Sequence, residues 1–67
     1  MSEAQNAQIL AHLKSGKKIT AFEALAEYNC LRLSGRIYDL RQEGHSISME
    51  MVKMPSGKRV GEYWLDA

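Results

Sequence analysis

At 67 residues the chain has room for one small domain and no second one, and a domain of that size buries only about 60% of its unfolded surface. Its 45% apolar content argues against a disordered chain, and nine Lys and Arg against eight Asp and Glu leave a net charge of +1, far from a strongly basic nucleic-acid binder. No stretch approaches the ~18 apolar residues of a membrane span and no basic-then-apolar leader opens the chain, so a cytoplasmic location is the expectation.

The first helix is expected over Ala4 to Lys14, with Ser2 as its cap and Gln5 at the capping-box position. Ala7, Leu10 and Leu13 fall on one side with Ile9 on the flank, which leaves Gln5, Asn6, Gln8 and His12 for the wet side. Ser15-Gly16 ends the helix, and Lys14 suits the negative end of its dipole. Lys17-Lys18-Ile19 is expected to be extended. Thr20 is then the cap of a second helix, with Glu23 completing a capping box and Ile19 placed as a hydrophobic staple.

That second helix carries Ala21, Phe22, Ala24, Leu25 and Ala26 and breaks near Tyr28-Asn29, where Asn29 is read as the cap of a third. The third helix, about 30–43, sets Leu33, Ile37 and Leu40 at helical spacing and stops at Gly44, a left-handed C′ residue. Cys30, the only cysteine, opens it as a buried inert thiol; with no second cysteine, neither an internal disulfide nor a zinc site is expected. Two short helices around a tight turn, the second amphipathic and arginine-bearing, have the shape of a helix-turn-helix.

After Gly44 the period changes from helix to strand. In SISMEMVKM, Ile47, Met49 and Met51 alternate with Ser48, Glu50 and Val52. Pro55-Ser56-Gly57 forms a turn, and a second alternating run covers Lys58 to Leu65. A type I turn with a glycine bulge pairs Met54 with Lys58, Met51 with Gly61, Met49 with Tyr63 and Ile47 with Leu65. The other face pairs Val52 with Val60, Glu50 with Glu62 and Ser48 with Trp64. A one-residue slip would carry Glu62 and Trp64 into the core, which rejects it.

Three helices and a hairpin in this order resemble a winged helix-turn-helix. The run QILAHLKSGKKITAFEALAEYNCLRLSGRIYDLRQEGHSISMEMV resembles the small winged helix-turn-helix domains of bacteriophages and prophages. Their pattern is a leading ILxxLxxG, then IT-x-x-EAL, then RL-x-x-RI-x-DLR-x-x-G, and a final Y-x-L matched by Tyr63-Trp64-Leu65. The resemblance implies an α+β fold with a two-stranded β-hairpin wing in a single domain over residues 1–67. It also implies double-stranded DNA as partner, in a small transcriptional regulator or an excision accessory factor.

With the third helix in the major groove, Arg32, Ser34, Gly35, Arg36 and Tyr38 are the candidate contacts, Arg32 foremost because its fork fits guanine or a phosphate. Arg36 could pair with Glu27 or Asp39 instead, and Arg41 near the helix end suits a structural role. Gly35 permits either close approach to DNA or close packing on the preceding helix. Lys53, Ser56, Lys58 and Arg59 surround the wing turn, 53–59, as contacts to the backbone or minor groove. Lys18 and Thr20 are further phosphate candidates.

Neither His12 nor His45 has a nucleophile or carboxylate at a diagnostic spacing, so no enzyme, cofactor or metal site is expected, and a ligand-sized pocket is hard to fit. Adjacent copies on DNA or a homodimer would add the second half-site that one short helix lacks. The alternative is a module binding a protein partner through the hairpin face of Val52, Val60 and Trp64.

Overall fold

The computed structural model describes residues 2–66, with side chains from Ala4 onward. The elements are α1 (Ser2–Lys14), β1 (Ile19–Thr20), α2 (Ala21–Tyr28), α3 (Leu33–Gln42), β2 (Ile47–Lys53) and β3 (Arg59–Leu65). The cap expected at Ser2 lies outside the described side chains.

Local chemistry explains most of the boundaries. Thr20 Oγ1 accepts from the Glu23 N–H at 3.2 Å, and the Thr20 N–H donates to Glu23 Oε1 at 3.0 Å, a complete capping box. Ile19 just before that cap and Ala24 at the fourth helical position are both fully buried, as a hydrophobic staple requires. At the other end of the helix pair, Gly44 takes φ +101°. Its N–H donates to the Arg41 carbonyl and that of His45 to the Leu40 carbonyl, a Schellman closure of α3.

Asn29 is not the N-cap of α3. It closes α2 in the left-handed conformation, φ 53° and ψ 36°. The N–H groups of Asn29 and Cys30 donate to the carbonyls of Leu25 and Ala24, which α2 would otherwise leave unsatisfied. Asn reaches this conformation more readily than most side chains. The turn therefore takes up residues 29–32, α3 starts at Leu33 rather than near residue 30, and Arg32 stands at its N-cap position with no side-chain cap bond. Cys30 is buried in the turn itself.

The core comprises Ile9, Leu13, Ile19, Ala24, Cys30, Leu33, Ile37, Leu40 and Ile47, with Leu10, Tyr28, Tyr63 and Leu65 packed around it. The assignment of α1 faces is corrected in part: Ala7 is exposed, while Asn6 and His12 are buried. Inside, both ring nitrogens of His12 find partners, and Asn6 finds one. His12 Nε2 lies 2.9 Å from the Lys18 carbonyl and Nδ1 lies 2.8 Å from the Tyr28 hydroxyl. A carbonyl only accepts, so Nε2 carries the proton, and in the neutral ring Nδ1 accepts from Tyr28. Burial and the nearby Glu27 carboxylate push the Tyr28 phenol above its ordinary value. Asn6 Nδ2 donates to Asp39 Oδ2 at 3.4 Å, tying α1 to α3.

The hairpin forms in the expected register, from Ile47 opposite Leu65 to Lys53 opposite Arg59, and the Met54 N–H donates to the Lys58 carbonyl at 2.7 Å. Gly57 supplies the positive φ of the turn. The sheet, however, has three strands rather than two, in the order β1-β3-β2. Ile19 pairs with Tyr63 and Thr20 with Glu62, so the expected extended stub covers the free edge of β3. Burial on the inner face fades towards the tip: Ile47 is buried, but Met49 and Met51 are about half exposed.

Candidate nucleic-acid interface

The turn of about 100° per residue in an α-helix sorts the side chains of α3. Leu33, Ile37 and Leu40 form the buried stripe; Gly35, Tyr38 and Gln42 fall opposite it, with Ser34 and Asp39 on its two flanks. Ser34, Tyr38 and Gln42 are exposed and Gly35 is half-exposed. Gln42 was absent from the sequence-based set, although it lies four residues beyond Tyr38 and seven beyond Gly35, a spacing that marks the same face. A Cβ built on Gly35 would meet nothing closer than Arg32 Cβ at 3.9 Å. Close packing on the preceding helix therefore does not account for this glycine.

The three arginines of this region have different fates. Arg32 is exposed and has no carboxylate partner among the described residues. Arg36 turns inward: Nη2 lies 3.6 Å from Asp39 Oδ2, only 20% of its side chain is exposed, and Nε is buried without a partner. Asp39 is shared with Asn6, whose Oδ1 is likewise buried and unpartnered, so Arg36 belongs to a polar cluster between α1 and α3. Arg41 donates from Nε and Nη2 to the Ile47 carbonyl at 3.1 and 2.7 Å, the structural role expected of it. The outward face of α3 thus carries Gly35, Tyr38 and Gln42 with Ser34 and the part-exposed Asp39 at its margins, and the helix's free cation stands at its start.

Around the wing turn Lys53, Ser56, Lys58 and Arg59 are all exposed. Lys53 and Arg59 are directly opposite each other. Like charges in that position repel, and no carboxylate pairs with either among the described residues. The acids of the hairpin, Glu50 and Glu62, pair on the reverse face.

Thr20, expected as a phosphate contact, is buried, and its N–H and hydroxyl oxygen are engaged by Glu23. Lys18 is exposed, but its Nζ sits 4.8 Å from the centroid of the Trp64 ring, a cation–π contact. Trp64, Val52 and Val60 are half-buried. The most exposed large apolar side chains are elsewhere: Leu31 at 83% in the turn, Phe22 and Leu25 on α2, Tyr38, and the two wing methionines. A groove of about 290 Å³ between α1 and α3, lined by Asn6, Ala7, Leu10, Leu40 and Glu43, falls just short of ordinary ligand pockets. No helix among the described residues is long and apolar enough to cross a membrane.

Comparison with known families gives one match, to a model described as winged helix-turn-helix domain, over residues 4–67. No curated protein and no solved structure matches the chain.

Proposed function

The chain belongs to the winged helix-turn-helix domain family, whose members are typically DNA-binding and not catalytic, and from that premise we propose that it binds double-stranded DNA as a small regulator of phage type. Repression, activation or assistance to excision are all compatible with this role. In this reading α3 enters the major groove with the face of Ser34, Gly35, Tyr38 and Gln42 towards the bases. Arg32 grips a guanine edge or a phosphate where the helix begins. Lys58 and Ser56 at the wing tip, flanked by Lys53 and Arg59, hold the backbone or minor groove and set the register without reading much sequence.

The observation that carries the proposal is that Arg32, Lys53, Lys58 and Arg59 are exposed and without carboxylate partners among the described residues. An anion that met them would displace no internal ion pair. Arg36 and Thr20 drop to supporting roles, because their polar atoms already serve the fold, and Lys18 becomes a minor contact.

The test is binding to a random-sequence duplex across a salt series. Each phosphate contact contributes about 0.9 to the slope of log affinity against log salt. Replacing Arg32 or Lys58 by alanine is expected to lower that slope by about one contact each, and Trp64→Ala to leave it alone. Binding that ignores salt, or survives the loss of both cations, would sink the proposal.

A further inference from the structure

The two faces of the wing ribbon differ in charge. Strand alternation puts Ile47, Met49, Met51 and Lys53 of β2 on one face, with Leu65, Tyr63, Gly61 and Arg59 of β3 opposite them. The ionised groups of that face, Lys53 and Arg59, are both cations, and the strand acids Glu50 and Glu62 lie on the other face. A polyanion therefore meets the wing on the face that holds the methionines.

The root of this face belongs to the core. Ile47 and Leu65 pair there, and Arg41 of α3 holds the Ile47 carbonyl. Further out the face is bare, with Met49 47% exposed and Met51 54%. Met49 has a seat, since its Cγ and Sδ stand 3.5 Å from where a Cβ on Gly61 would be. Met51 lacks a cross-strand side chain, because the residue directly opposite it is Gly61 itself.

Residues two apart on a strand stand about 7 Å from each other, and the minor groove is about 6 Å wide. With Lys53 and Arg59 on the phosphates at one edge of the groove, Met51 stands over its interior. The deoxyribose walls and base faces there are apolar, and an unbranched thioether adapts to an irregular gap. An apolar side chain pushed between base pairs unstacks them and kinks the duplex towards its major groove.

We infer that Met51 is such a wedge, entering the minor groove behind Lys53 and Arg59 and bending the bound duplex by about 20° or more. The wedge rests on the DNA binding proposed above and adds to it a bend that phosphate contacts at the wing tip do not require.

The test is fluorescence transfer between dyes at the two ends of a duplex of about 30 base pairs with central TA steps, which unstack easily, saturated with the full chain. Transfer is expected to rise when the wild-type chain binds. Met51→Ala is expected to bind and leave the duplex straight. Met51→Leu keeps an apolar wedge and is expected to bend it. Met51→Lys adds a cation instead, and is expected to bind with an undiminished salt slope and no bend. Glu50→Gln, on the other face, is expected to bend the duplex as the wild type does. Met51 is exposed, so its substitutions leave the core untouched. Salt-dependent binding by the wild type without a rise in transfer overturns the inference and leaves the DNA reading standing. So does full bending by Met51→Ala or Met51→Lys, or a straight complex with Met51→Leu or Glu50→Gln. A wild-type chain that does not bind the duplex removes both.

Discussion

Arg41, in the last turn of α3, holds the carbonyl of Ile47, the first residue of the wing, with two donors at 3.1 and 2.7 Å. This fork fixes the angle at which the wing leaves the helix, and Lys cannot reproduce its geometry. Arg41→Ala is expected to cost about 1 kcal/mol of stability, with Arg41→Lys recovering less than half. Urea denaturation measures both, and an unchanged midpoint would refute the clip.

Gly35 separates stability from binding. Its Cβ position is open apart from Arg32 Cβ at 3.9 Å, and helical glycine costs about 0.5–1 kcal/mol relative to alanine. Gly35→Ala is therefore expected to raise the melting temperature while weakening duplex binding several-fold. A variant that is more stable and binds as well would remove Gly35 from the interface.

The His12–Tyr28 pair sets an alkaline limit. The Tyr28 phenol is held above its usual value, first by burial and then by Glu27. A group with a raised folded pKa contributes stability that is complete below the unfolded value, about 10, and is lost as pH rises through the folded value. Melting temperature is expected to fall above about pH 10, and Glu27→Gln should shift that fall to higher stability at a given pH. Tyr28→Phe should abolish this component but lower stability at neutral pH by about 1–3 kcal/mol, because His12 Nδ1 loses its donor.

Asn29 tests the corrected turn. At φ 53° a β-branched side chain is strained, so Asn29→Val is expected to lose about 1–2 kcal/mol and Asn29→Gly to lose little. If instead Asn29→Gly proved the costlier change, the side chain rather than the backbone would be the important part.

Much of this was legible in the residues. Leu33, Ile37 and Leu40 announced the inner face of α3, Thr20 with Glu23 announced the start of α2, and the alternation around Pro55-Ser56-Gly57 fixed the hairpin register. The misjudged positions were polar groups with distant partners. His12 and Asn6 look wet by type, and only the approach of Lys18, Tyr28 and Asp39 makes burial affordable in hydrogen bonds. For Arg36 the sequence left two readings open, DNA contact or an ion pair, and the structure has the pair with Asp39 three residues on.

The sequence by itself determined the elements, their order and the register of the hairpin, because periodicity, caps and turn residues act over a few neighbours. Only the tertiary structure decided that Ile19 and Thr20 complete a third strand, that Asn29 ends one helix rather than beginning another, and which arginines remain free. Those outcomes depend on which donors and acceptors meet across the fold, and a pairing between distant segments leaves no mark in the local pattern of either.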